Sequence, residues 1–199
     1  MKNYILDEYS KTKQLFEKIL ADDVLQDNIV KIVAICVTTL QNKGKIMLCG
    51  NGGSAADCQH LAAELVVRLS YDRPALNAIA LTVDTSALTA IGNDYGYERS
   101  FSRQVEALGI SGDVLFALST SGKSKNVLEA VRSAKQKNIT TIGFLGSKGR
   151  DIGDIVDYRI NIPSDETPKI QEAHIATGHI ICSLIEEEIY GQEYNPKRK

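Results

Sequence analysis

His60 and Glu64 stand four residues apart in a stretch, 54–69, whose apolar residues recur at helical spacing. Side chains at i and i+4 project from one face of a helix, so an imidazole and a carboxylate placed this way can share a metal ion or a substrate. Ala62, Ala63, Leu65, Val66 and Val67 flank Glu64. A carboxylate among such neighbours lies either on an exposed stripe or in a buried position, where desolvation would raise its pKa toward the range of a general base. Taken alone, the pair is more often a surface contact. A second group of candidates, Gln171, Glu172, His174 and His179, lies near the carboxyl end of the chain. Successive helical residues advance about 100°, which sets His174 and His179 roughly 140° apart, too far to face one site together. Gln171 falls between them in angle, so spacing alone does not choose the working histidine.

Two turns carry the other chemistry. Ser119-Thr120-Ser121-Gly122-Lys123-Ser124 follows an apolar run and precedes a helical pattern. Hydroxyls beside the free N–H groups of a helix start suit a phosphate monoester. The last three of these residues resemble the end of a nucleotide-binding P-loop, but Ala117 stands where that loop needs its first glycine, so the backbone cradle is missing. Gly50-Asn51-Gly52-Gly53-Ser54 also sits between an apolar run and a helix, and glycines there let a ligand approach the backbone. With Ala55 this turn matches the dinucleotide fingerprint G-x-G-x-x-A. That fingerprint expects an acid at the end of the next strand, about 20 residues on. Asp72 has the spacing but precedes the strand, and Asp84 follows it too far along, so the dinucleotide reading is weak.

The elements that must position these residues read as two helices, 4–20 and 24–42, followed by alternating strands and helices. The turn at 50–54 is fed by Ile46–Cys49, and further strands are expected at 76–81, 113–118, 139–145 and 156–162. Helices fit 54–69, 86–92, 98–108, 123–137 and 168–190, with Pro168 in the first turn of the last one. Strands that alternate with helices without hairpin turns imply an α/β fold, a mostly parallel sheet covered on both faces. The chain of 199 residues is expected to form one domain, a helical extension to about 43 ahead of a core at about 44–190. Beyond Gly191 the periodicity fades and the tail is expected to fray. The first helix could cover its own sheet or pack on another subunit, and pattern alone leaves the two even.

Composition narrows the classes. A net charge of −2 offers no basic field for nucleic acid. No apolar run approaches the ~20 residues that span a bilayer, and Met1–Asp7 has no apolar segment of the signal-peptide kind. Cys36, Cys49, Cys58 and Cys182 form no C-x-x-C pair and read as buried reduced thiols. The cytoplasm is the expected location.

Five motifs occur together and in order: Gly-Asn-Gly-Gly-Ser-Ala at 50–55, Gln59-His60 with Glu64, Ala-Ile-Gly-Asn-Asp-Tyr-Gly at 90–96, Ser-Thr-Ser-Gly at 119–122 and Lys-Ile-Gln-Glu-Ala-His at 169–174. In this combination the chain resembles the bacterial phosphoheptose isomerases of the sugar isomerase (SIS) fold, over about residues 30–190. The resemblance implies a three-layer sandwich with a five-stranded parallel sheet, and a homotetramer with active sites at subunit interfaces, which tilts the first helix toward packing across subunits. It implies isomerisation of sedoheptulose 7-phosphate to an aldoheptose 7-phosphate. Ser119, Thr120, Ser121 and Ser124 would hold the phosphate, and Asn51, Gly52, Gly53, Ser54, Asn93, Asp94 and Gln171 would contact the sugar. Glu64, also in contact with the substrate, would be the base and His179 its acid partner. A Zn²⁺ would be held by His60, Glu64, Gln171 and His179, a donor set compatible with tetrahedral zinc, with the amide as a weak ligand. Two positions depart from the family: Thr167-Pro168-Lys169 where an arginine is common before Ile-Gln-Glu, and Cys58 where alanine is common. The rival expectations are an isomerase of another phosphosugar, and a non-catalytic relative that binds a replication initiator or senses sugar phosphates.

Overall fold

The computed structural model describes residues 1–198. Two long helices, α1 (Lys2–Leu20) and α2 (Asp23–Gln41), precede five strands: β1 (Ile46–Gly50), β2 (Ala78–Ala80), β3 (Val114–Ser119), β4 (Thr140–Leu145) and β5 (Tyr158–Asn161). Between and after them run α3 (Gly53–Val66), α4 (Thr85–Tyr95), a 3₁₀ turn (Tyr97–Arg99), α5 (Ser102–Leu108), α6 (Lys125–Gln136), the short α7 (Arg150–Gly153) and α8 (Thr167–Tyr194). All strand pairs are parallel, in the order β2-β1-β3-β4-β5.

Strict alternation along the strands divides the core in two. Ile46 and Leu48 of β1, with Val114, Phe116 and Leu118 of β3, join a cluster that includes Ile32 and Cys36 of α2, Leu61 and Leu65 of α3, and Ile181 and Ile185 of α8. Met47, Cys49, Leu115 and Ala117 point the other way, into a cluster with Val105 of α5 and Val127, Ala130 and Val131 of α6. Side chains of successive strand residues face opposite sides of a sheet, so the two-sided apolar runs of the sequence require helices on both faces.

The structure moves several expected boundaries. The expected strand 76–81 shrinks to Ala78–Ala80, and the expected helix 98–108 is interrupted at Ser100 and Phe101, both buried. The last helix does not fray at 191: it continues to Tyr194, with Gly191 buried, and beyond it Asn195 and Arg198 both bind Glu187. Thr167 and Pro168 begin that helix as the sequence requires. All four cysteines are buried and unpaired, and desolvation pushes the Cys49 and Cys182 thiols up to about 12. No described helix is long and apolar enough to cross a membrane.

Candidate active site

From β1 the chain moves outward to β2 on one side, then returns to place β3 on the other. At such a reversal the loops beyond the carboxyl ends diverge to opposite faces and leave a crevice in which ligands bind. Gly50, the last residue of β1, lies in register with Leu118 of β3. The glycine turn and the hydroxyl turn therefore open side by side, and each runs into a helix start, α3 at Gly53 and α6 at Lys125.

The hydroxyl turn is held closely. Ser119 Oγ and Ser124 Oγ are 3.0 Å apart, and the Gly122 and Lys123 N–H groups donate to Ser119 Oγ and Ser121 Oγ at 3.2 Å. Gly122 has φ +67°, and a Cβ there would stand 2.0 Å from the Gly149 carbonyl oxygen. The turn after β4 thus lies directly on the hydroxyl turn, and the Gly146 N–H donates to the Thr120 carbonyl. Beside Thr120 and Ser121 opens a cavity of ~190 Å³, lined also by Ser147, Lys148, Arg150 and Asp165. Ser147 and Lys148 bond to Asp165 and hold its carboxyl below the usual carboxylate range. The Thr120 and Ser121 hydroxyls and the Lys148 and Arg150 side chains could face an anion here, although Lys148 is already paired with Asp165.

Across the crevice, a Cβ on Gly53 would come within 2.5 Å of Gln171 Nε2, so the α8 amide packs on the glycine-turn backbone. Asn51 and Asn126 exchange two amide hydrogen bonds at 2.8 Å, and the Tyr97 hydroxyl donates to Asn51 Oδ1 at 2.9 Å. Asn126 also donates to Ser100 Oγ, tying β1, α6 and the 3₁₀ turn together. Sequence reasoning missed Asn126 and Tyr97; their only signal was adjacency to motifs, two residues past Ser124 and one past Gly96.

The His60–Glu64 pair is more than an isolated i, i+4 contact, because α8 brings a third group to it. His60 Nε2 lies 2.8 Å from His179 Nε2 and 3.2 Å from Glu64 Oε1. All three donor atoms lie within 4.8 Å of one another. Two imidazole nitrogens this close need a proton between them or a cation that both can face. Ligand atoms on a tetrahedral Zn²⁺, with bonds of about 2.0–2.1 Å, stand about 3.3 Å apart, close to the spacing seen here. Glu64 keeps 18% of its side-chain surface and His60 keeps 50%, so the cluster is open to a substrate on one side.

His174 goes elsewhere. It is fully buried against Phe144, with Nε2 3.2 Å from the Leu145 carbonyl, and burial pushes its pKa down to about 4. Gln171 lies at the glycine turn, eight residues or about 12 Å of helix before His179. Asn93 and Asp94 stand exposed on α4, and the hydrogen bond they make is to each other. Ser54 is buried in the first turn of α3, while Gly52 is exposed with φ +55°.

Comparison with known proteins places this geometry. Residues 9–146 match the SIS domain family. A phosphoheptose isomerase of Burkholderia pseudomallei (strain 1710b) is 50% identical over 190 residues, 96% of this chain and 96% of its own length. One from a Nitratiruptor species is 54% identical over 187 residues, 94% of this chain and 99% of its own. The solved phosphoheptose isomerase of Neisseria gonorrhoeae superposes with a TM-score of 0.87 at 41% identity, over 94% of this chain and 98% of that one. The one from Francisella tularensis gives 0.88 at 34%, over 93% and 97%. Likeness of this extent, over a shared parallel sheet and nearly the full length of each relative, means that the chain belongs to the phosphoheptose isomerase family of SIS-domain proteins.

Proposed function

We propose that the chain converts sedoheptulose 7-phosphate to D-glycero-D-manno-heptose 7-phosphate, an aldose–ketose isomerisation that supplies heptose for lipopolysaccharide or capsule. The observation that carries this reading is the convergence of Glu64 and His179 on His60, on the helix that leaves a glycine turn beside a hydroxyl-rich turn. Holding a replication initiator or sensing a sugar phosphate needs no such cluster.

The phosphate is bound by Ser119, Thr120, Ser121 and Ser124 at the start of α6. The sugar lies along Asn51, Gly52, Gly53 and Ser54 toward Glu64, and Gln171, which packs on Gly53, would touch it. Glu64 removes the proton from the carbon next to the ketose carbonyl while His179 protonates the carbonyl oxygen, giving an enediol. His179 then takes the proton from the neighbouring hydroxyl, and Glu64 returns one to the adjacent carbon, leaving the aldose. His60, Glu64 and His179 would hold Zn²⁺, and Gln171 would supply a fourth donor by turning from the glycine turn, where it packs on Gly53. Bound there, the ion polarises oxygens as a Lewis acid. A carboxylate has two oxygens, so Glu64 can face a cation with one and move a proton with the other.

Exposed Tyr4, Ile5, Leu6 and Tyr9 on α1 support a homotetramer, and the exposed Asn93 and Asp94 would then serve the site of a neighbouring subunit. Four unpaired buried thiols suit the cytoplasm. The test is incubation with sedoheptulose 7-phosphate, with and without a chelator. Aldoheptose 7-phosphate that vanishes with chelator and returns with zinc is expected. Product that survives chelation would remove the zinc from the reading and leave the isomerase.

A further inference from the structure

Asp57 precedes His60 by three residues and Glu64 by seven on α3, so the three side chains share one face of the helix. Its Oδ2 is buried without a hydrogen-bond partner, the only carboxylate oxygen among the described residues in that condition. The two deeply buried carboxylates among the described residues, Asp113 and Glu186, are by contrast well supplied. Asp113 receives two backbone N–H groups and the Lys45 ammonium. Glu186 receives the N–H groups of Leu69, Ser70 and Tyr71 and the Arg73 guanidinium. Asp57 has no comparable donors. Burial pushes its carboxyl up, and what opposes that rise is attraction to His60 and His179.

Even one carboxylate oxygen buried without a donor is costly unless a positive charge faces it. The inner donor set offers two neutral imidazoles and one carboxylate, which leaves a dication with one uncompensated charge. We propose that Asp57 is the outer carboxylate of this metal centre: without ligating the ion, it balances that second charge through the two histidines and so tightens the binding of a divalent cation. The inference rests on the metal reading given above. Outer groups of this kind typically change metal affinity by about 10–100-fold.

The experiment measures Zn²⁺ affinity by competition with a chromophoric chelator, on metal-stripped wild type, Asp57→Asn and Asp57→Ser, with thermal unfolding recorded with and without zinc. Both variants should bind zinc about 10–100-fold more weakly. Without metal, Asp57→Asn should unfold at or above the wild-type temperature, since it replaces an unpartnered charge by a neutral amide, and its zinc-induced rise should be smaller. Wild-type affinity in both variants would overturn the role of Asp57 while leaving the metal site standing. A clear drop in the metal-free unfolding temperature of both would make Asp57 a structural residue and overturn it as well. Wild type that takes up no zinc would overturn the metal reading and this inference together.

Discussion

His174 donates from Nε2 to the Leu145 carbonyl, and its Nδ1 lies in the core with no partner. The folded chain therefore resists protonating it: its pKa near 4 lies below the ordinary value of 6.5. A depressed histidine pKa means that the unfolded chain binds the extra proton first. Its contribution to stability is complete above about pH 6.5 and is lost as the pH falls toward 4. Between pH 7 and 4.5, wild type should lose about 2–3 kcal/mol more stability than His174→Gln, measured by urea unfolding at fixed protein concentration. Equal losses would contradict this account of the residue. The angle between His174 and His179 was legible in the sequence, and so was the conclusion that only one could serve the site. Helix spacing left open which one, because that depends on the face α3 meets; the family resemblance alone pointed to His179. In the fold it is His179 that lies beside His60: a Cβ on Gly178 would stand 2.6 Å from Leu61, so α3 and α8 touch next to His179. The pairing of Asn51 with Asn126, 75 residues away, was invisible for the same reason.

At the scale of elements, the sequence exposes what depends on local pattern and hides what depends on packing. Apolar runs ending in Gly50 and Ser119 located the strands that carry both turns, because buried parallel strands show continuous hydrophobicity. The break at Ser100 and Phe101 escaped detection, since both are buried, Phe101 in the cluster that holds Val127 and Val131 and Ser100 bonded to Asn126, a tertiary effect that leaves the helical spacing intact. The last turn of α8 escaped too: contact of Tyr190 with Tyr194 and the bonds of Asn195 and Arg198 to Glu187 hold it where periodicity had faded. The hydroxyl turn offers a direct test of element-level design. Gly122→Ala forces a side chain into positive φ and into the Gly149 carbonyl. Strain of about 1–3 kcal/mol should displace the turn and raise KM on the order of tenfold or more, with a smaller effect on kcat. An unchanged KM would mean that this turn does not hold the phosphate.

Over the whole molecule, the least satisfied surface is α1, where Leu15 is the buried residue and Tyr4, Ile5, Leu6 and Tyr9 are exposed. Lys169 ties this helix to α8 through Glu8 and Thr12, which fixes it in place without covering its apolar side. Light scattering should report four chains of 21.8 kDa per particle, and Tyr4→Asp with Tyr9→Asp should reduce that mass. A monomeric wild type would contradict the assembly. The parallel sheet with its reversal between β1 and β3 exists, in this account, to bring a base and an acid to a sugar phosphate whose charge is held at the next strand. The most direct test follows sedoheptulose 7-phosphate by NMR with wild type and Glu64→Gln, checking the fold of each by circular dichroism. Wild type should form the aldoheptose 7-phosphate, and folded Glu64→Gln should be slower by at least about 100-fold while still binding the substrate. No conversion by folded, zinc-loaded wild type, or full activity in Glu64→Gln, would contradict the account.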